Sequence, residues 1–184
     1  MDSPIRLTVL ISGNGSNLQA VIDKTRAGQL PTNIIRVISN RKDAYGLERA
    51  RQANIPTQYH NLVKYKKQHP ATPEGVQAAR EEYDAELARL VLADQPEMVA
   101  CLGFMHVLSP RFLEPLEAAN VKIINLHPAL PGAFNGAVRC FFLFPCVVFA
   151  FGVAGRWLIG CMDRTQLSAL MPPGRRARST RPAS

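Results

Sequence analysis

Five short apolar runs, with helical patterns between them, constrain this chain more than any other feature. The runs are Ile5–Ile11 (IRLTVLI), Asn33–Ser39 (NIIRVIS), the shorter Ile55–Tyr59, Met98–Phe104 (MVACLGF) and Val121–Leu126 (VKIINL). They are rich in β-branched residues and predict buried strands. Helical spacing is predicted over 17–27 (Leu18, Val21, Ile22), 45–53 (Leu47, Ala50, Ala53) and 74–93 (Val76, Ala79, Tyr83, Leu87, Leu90, Val91). A further helix is predicted over 110–118, with Ser109 as its N-cap and a proline in its first turn. The polar, basic stretch 62–72 reads as a surface loop. Strands alternating with helices imply an α/β fold, a mostly parallel sheet with helices on both faces, Rossmann-like in kind. Such sheets bind ligands beyond the carboxyl ends of their strands.

The chain of 184 residues suits one domain of this size. Its net charge of +8 invites a nucleic-acid reading, but the distribution argues against one. Residues 1–137 hold 15 basic and 13 acidic side chains, a net of +2, whereas 138–184 hold 7 basic and 1 acidic, a net of +6. Five of the eight Phe and three of the four Cys also follow residue 137. Two different compositions therefore meet near Ala137. Cys101 sits in an apolar run and reads as a core thiol, and Cys140, Cys146 and Cys161 lack metal-ligand spacing. No metal is expected. The longest uncharged stretch, 140–155, has 16 residues and is broken by Pro145. A spanning helix needs about 20, so no membrane partner is expected. The N-terminal run is too short for a signal peptide, and a cytoplasmic location is expected.

Three segments could carry chemistry, and each follows a predicted strand. Gly13-Asn14-Gly15-Ser16-Asn17 joins the first strand to the first helix. Glycines there let backbone amides approach a phosphate at a helix N-terminus, but a tight capped turn would use the same residues. Position 18 is Leu, so the dinucleotide fingerprint fails, and the Walker Gly-Lys-Ser/Thr is absent. Gly103-Phe104-Met105-His106-Val107-Leu108 follows the fourth strand, either lining a pocket or simply packing; His106 is a solvated ring or a pocket group. Asn125 and His127 alternate onto one side at the end of the fifth strand, before a stiff Pro128-Ala129-Leu130-Pro131-Gly132 run. An amide and an imidazole aimed at one point can stabilise an oxyanion and move a proton; the alternative is a histidine capping a turn.

Taken in order, four stretches resemble the phosphoribosylglycinamide formyltransferases of purine biosynthesis: Val9 through Ala20, Tyr45 through Ala50, Gly103 through Met105, and Asn125 through Gly132. The resemblance covers roughly 4–137 and implies a formyltransferase-like α/β domain. It implies transfer of a formyl group from 10-formyltetrahydrofolate, as cosubstrate, to the amine of glycinamide ribonucleotide. Gly15, Ser16 and Asn17 match the phosphate-binding residues. Arg80 matches a folate-binding arginine, and Met105, His106, Val107 and Leu108 match the loop beside the pteridine, with His106 in place of an arginine common there. Asn125 and His127 match the catalytic pair. In the implied chemistry the amine attacks the formyl carbon, the pair stabilises the oxyanion, and a proton passes to the departing nitrogen.

The resemblance stops near residue 137. The family continues with a helix, a strand bearing His, and an Asp that partners the catalytic imidazole. Here Val138 onward differs, and only Asp163 supplies a carboxylate side chain after Glu117, without the family's flanking pattern. Residues 138–184 are therefore expected to be a divergent tail outside native packing, of the kind a retained intron or frameshift produces, in a truncated and weakly active or inactive enzyme. The rival for the tail is a basic membrane-surface segment. The rival for the whole is a non-catalytic nucleotide- or phosphate-binding module. A formyltransferase acting on methionyl-tRNA is disfavoured by the near-neutral charge of 1–137. Small-molecule substrates are the expected partners, and the oligomeric state stays open.

Overall fold

The four longer apolar runs become strands whose side chains feed two separate cores. The computed structural model describes residues 3–127, 147–150 and 158–161. The first five strands are β1 (Ile5–Ile11), β2 (Thr32–Ser39), β3 (Thr57–Tyr59), β4 (Met98–Leu102) and β5 (Lys122–His127). The helices are α1 (Ser16–Arg26), α2 (Tyr45–Gln52), α3 (Leu62–Lys66), α4 (Pro73–Ala93) and α5 (Pro110–Ala118). Leu7, Val9 and Ile11 of β1 pack with Leu18, Ile22 and Leu47 from α1 and α2. Leu10, between them, joins Tyr83, Leu87 and Val91 of α4 and Phe112 and Leu116 of α5 on the opposite face. The predicted arrangement of helices on both faces is thus present. Cys101 is fully buried in the second core, and burial pushes its thiol up to about 12, as fits a core residue.

The five strands run parallel in the order β3-β2-β1-β4-β5. Chain order reverses between β1 and β4, so their following loops diverge there and leave a crevice. Two four-residue strands, β6 (Val147–Ala150) and β7 (Leu158–Cys161), extend the sheet antiparallel from β5. Both segments fall within residues 138–184. The outer edge of β5 presents backbone donors and acceptors, and the β-branched Val147-Val148 segment answers them in a ladder. Pro128 to Cys146 and residues 162–184, Asp163 among them, lie outside the described residues.

One further expectation changes. The 62–72 stretch is not all loop, because Asn61 accepts the Val63 N–H at 2.8 Å and starts α3. Its Leu62 and Tyr65 pack on the α4–α5 core. Beside them His60, 7% exposed, stacks on Tyr83 with centroids 4.3 Å apart, and its Nε2–H donates to the Tyr83 carbonyl at 3.1 Å. Burial holds the His60 pKa below its ordinary value, outweighing that hydrogen bond. The unfolded chain therefore takes up this proton first as pH falls. His60 stabilises the fold above about pH 6.5 and loses that contribution as pH drops toward its lowered native value. Denaturant unfolding between about pH 7.5 and 5.5 is expected to show a shallower decline for His60→Phe than for the native sequence. Equal slopes would remove His60 from the acid sensitivity.

Candidate active site

The Gly-rich turn is shaped by one glycine conformation and one close approach. Gly15, the N-cap of α1, has φ 75° and ψ 27° and makes no side-chain cap. A Cβ there would sit 2.5 Å from the Gly46 Cα, and a Cβ on Gly46 would sit 2.5 Å from the Ile11 Cδ1. The start of α2 is thus seated against the turn, and the Gly46 N–H donates to the Gly13 carbonyl at 3.1 Å. Arg49, one turn later, donates from Nε to the Asn14 carbonyl at 3.0 Å and from Nη2 to the Asn14 Oδ1 at 2.9 Å. Its guanidinium also lies over the Tyr45 ring, 4.9 Å from the centroid. The first turn of α1 carries no acidic residue, so its backbone N–H groups and the helix dipole favour an anion. A crevice of about 150 Å³ opens here, lined by Gly13 through Asn17 together with Leu102 and Gly103 from the end of β4.

The second loop leaves β4 through Gly103, at φ 71°. It is tied across the crevice by the Met105 N–H, which donates to the Ser12 Oγ at 2.7 Å. Met105 and Val107 are 71% and 83% exposed, while Phe104 and Leu108 pack on the α4–α5 core. The His106 side chain is 5% exposed and its Nε2 lies 2.7 Å from the Oδ1 of the fully buried Asp84. The ring is therefore turned into the protein, unlike a solvated loop histidine. Arg80 lies exposed on α4, one turn before Asp84.

Asn125 sits near the end of β5, half-buried, in register with Cys101 of β4 and Phe149 of β6. Position 127 is two residues on, paired with Val147, and shares its face with 125 by alternation. The backbone thus brings the 13–17 turn, the 103–109 loop and the 125–127 strand end to one edge of the sheet. The Pro-rich run after His127 and the possible partner Asp163 lie outside the described residues. Spacing alone did not single out Arg49 or Asp84 as site residues. Their partners are 35 and 22 residues distant in sequence. The only signal for Arg49 is its place in the Tyr45-to-Ala50 stretch that carries part of the resemblance.

A parallel α/β sheet with a glycine-lined crevice at its switch point defines a doubly wound domain of the kind that binds ligands there. Comparison with known proteins narrows the class. The formyl transferase family model matches residues 5–140, and the chain belongs to that family. Phosphoribosylglycinamide formyltransferase of Schizosaccharomyces pombe is 56% identical over 132 residues, covering 71% of this chain and 61% of that protein. The Saccharomyces cerevisiae enzyme of the same name is 46% identical over 137 residues, 73% of this chain and 63% of its own length. Among solved structures, the phosphoribosylglycinamide formyltransferase of Coxiella burnetii superposes with a TM-score of 0.59 at 35% identity, covering 72% of this chain and 56% of that one. Glycinamide ribonucleotide transformylase 1 of Symbiobacterium toebii gives 0.64 at 31% identity, covering 84% and 69%. The chain thus spans about three fifths of the curated relatives it matches, 61% of the first and 63% of the second. Among the described residues, no helix is long and apolar enough to cross a membrane.

Proposed function

We propose that this chain transfers a formyl group from 10-formyltetrahydrofolate to the amine of 5-phosphoribosylglycinamide, a step of de novo purine biosynthesis, and acts in the cytoplasm. The observation that carries the reading is the meeting of two matched loops at the β1–β4 crevice, with Asn125 on the neighbouring strand. Residues 1–137 form the formyltransferase-like domain, and 138–184 are a divergent tail.

Gly15, Ser16 and Asn17 hold the phosphate of the ribonucleotide through the free N–H groups of the α1 terminus. The residues on the other side of the crevice fit a folate. Exposed Met105 and Val107 offer apolar contact to a fused ring, together with the backbone groups of 105–108, and Arg80 offers charge to a carboxylate. The bound folate supplies the formyl carbon as electrophile. Asn125 donates its amide N–H to the developing oxyanion. As the amine nitrogen bonds to the formyl carbon, His127 gives its imidazole proton to the departing folate nitrogen, the bond from that nitrogen to the formyl carbon breaks, and the imidazole takes up the proton that the amine loses.

A second reading is favoured by the composition of 138–184, which has one acidic side chain in place of the family's catalytic carboxylate pattern. In that reading the chain binds the ribonucleotide and turns nothing over. One experiment separates the two. The 184-residue chain is titrated with glycinamide ribonucleotide by calorimetry, then incubated with 10-formyltetrahydrofolate while mass spectrometry follows the formylated ribonucleotide. Binding with product is the expected result. Binding without product selects the second reading, and no binding overturns both.

A further inference from the structure

The buried pair Asp84–His106 lies behind the crevice, and its ring does not reach the surface that a ligand would touch. Asp84 is fully buried on α4, and both of its oxygens are engaged by the same loop. Oδ1 receives the Nε2–H of His106 and Oδ2 receives the Ser109 N–H, each at 2.7 Å. The His106 ring stands edge-on to Tyr83, with centroids 5.0 Å apart, and to Phe104, 6.0 Å apart. Along 104–108, inward and outward residues alternate: 104, 106 and 108 pack or pair, whereas 105 and 107 project. The ring that points in therefore fixes the two side chains that point out. The carboxylate also belongs to the helix that carries Arg80, four residues earlier.

We infer that His106 is a positioning residue: through Asp84 it locks the 103–109 loop to α4, setting the distance between Met105 and Val107 on one side and Arg80 on the other. The lock governs affinity for a fused-ring heterocycle bearing a carboxylate tail, without contact between imidazole and ligand. This rests on the folate reading of the loop. A buried carboxylate stripped of one partner is strongly unfavourable, so loss of the imidazole forces Asp84 to recruit water or the loop to move. Ser12 still ties Met105 at the other side, so the change is confined to 106–109.

The test uses the whole 184-residue chain with tetrahydrofolate as probe and glycinamide ribonucleotide as control. His106→Leu removes the donor, and His106→Gln restores one at similar reach. For His106→Leu, tetrahydrofolate affinity is expected to fall about tenfold or more, with ribonucleotide affinity within about twofold of native. His106→Gln is expected to recover to within about threefold of native. In parallel, amide hydrogen exchange at Ser109 is expected to quicken about tenfold or more in His106→Leu and to stay slow in His106→Gln. Equal tetrahydrofolate affinity in all three proteins overturns the inference. So does a weak His106→Gln with a native Ser109 exchange rate, because the ring would then be touching the ligand. If the native chain binds no tetrahydrofolate, the folate reading fails by itself, and the exchange rates still decide whether the lock exists. Should His106→Leu not fold, the native chain is enough: a Ser109 amide exchanging as fast as that of exposed Val107 refutes the lock.

Discussion

Replacing Gly15 by valine is expected to abolish measurable binding of glycinamide ribonucleotide. Two independent costs fall on the same atom. At φ 75° a β-branched residue occupies a region that L side chains rarely adopt, at about 1–3 kcal/mol. The new Cβ would also stand 2.5 Å from the Gly46 Cα, which is backbone and cannot rotate away. Gly46 cannot retreat either, because Ile11 lies behind it and Arg49 ties the same helix to Asn14. The turn must therefore open, and the α1 N–H groups lose their shared aim. Strain of this size corresponds by itself to about 5- to 160-fold in affinity, and the clash with the Gly46 Cα adds to it. Calorimetry on both proteins measures it, with circular dichroism to show that the sheet is retained. Equal binding would move the anion site away from this turn.

The second large effect concerns turnover. Formyl transfer by the 184-residue chain is expected to run about 10²–10⁴-fold slower than that of a chimera in which the corresponding part of the Schizosaccharomyces pombe relative replaces residues 138–184. In the family, an aspartate keeps the catalytic imidazole charged and oriented. Without such a partner, proton donation is expected to weaken. In a serine protease triad, disabling the orienting carboxylate costs about 10⁴. Residues 138–184 offer Asp163 alone as a replacement. The assay compares initial rates at saturating 10-formyltetrahydrofolate and ribonucleotide. Comparable rates would identify Asp163 as the working partner of His127.

Much of the fold was legible because a parallel sheet buries both faces of its strands. Ile5–Ile11 is apolar at five of its seven positions and Met98–Leu102 at all five, and such runs need no partner to be recognised. Element ends shifted by a residue or two where caps, not periodicity, decide them. Thr72 starts α4 at Pro73 by accepting the Gly75 N–H. The five residues of α3 are too few to show a helical period, although Asn61 before Leu62-Val63 was a readable cap. In the site, the Gly13–Asn17 turn announced itself because glycine spacing is local. The parts that hold it did not. Arg49 and Asp84 bond to partners 35 and 22 residues away, and spacing does not distinguish them from the solvated charges beside them. His106 illustrates the same limit, since only the fold reveals that its ring faces a buried carboxylate.

Among the described residues, the sheet ends on both sides in very little strand. β3 offers three residues at one margin and β7 four at the other. Each margin therefore presents only a few unsatisfied amides and carbonyls to a passing chain, too short a template for a stable added strand. Addition of a second copy onto either of these two short strands is disfavoured.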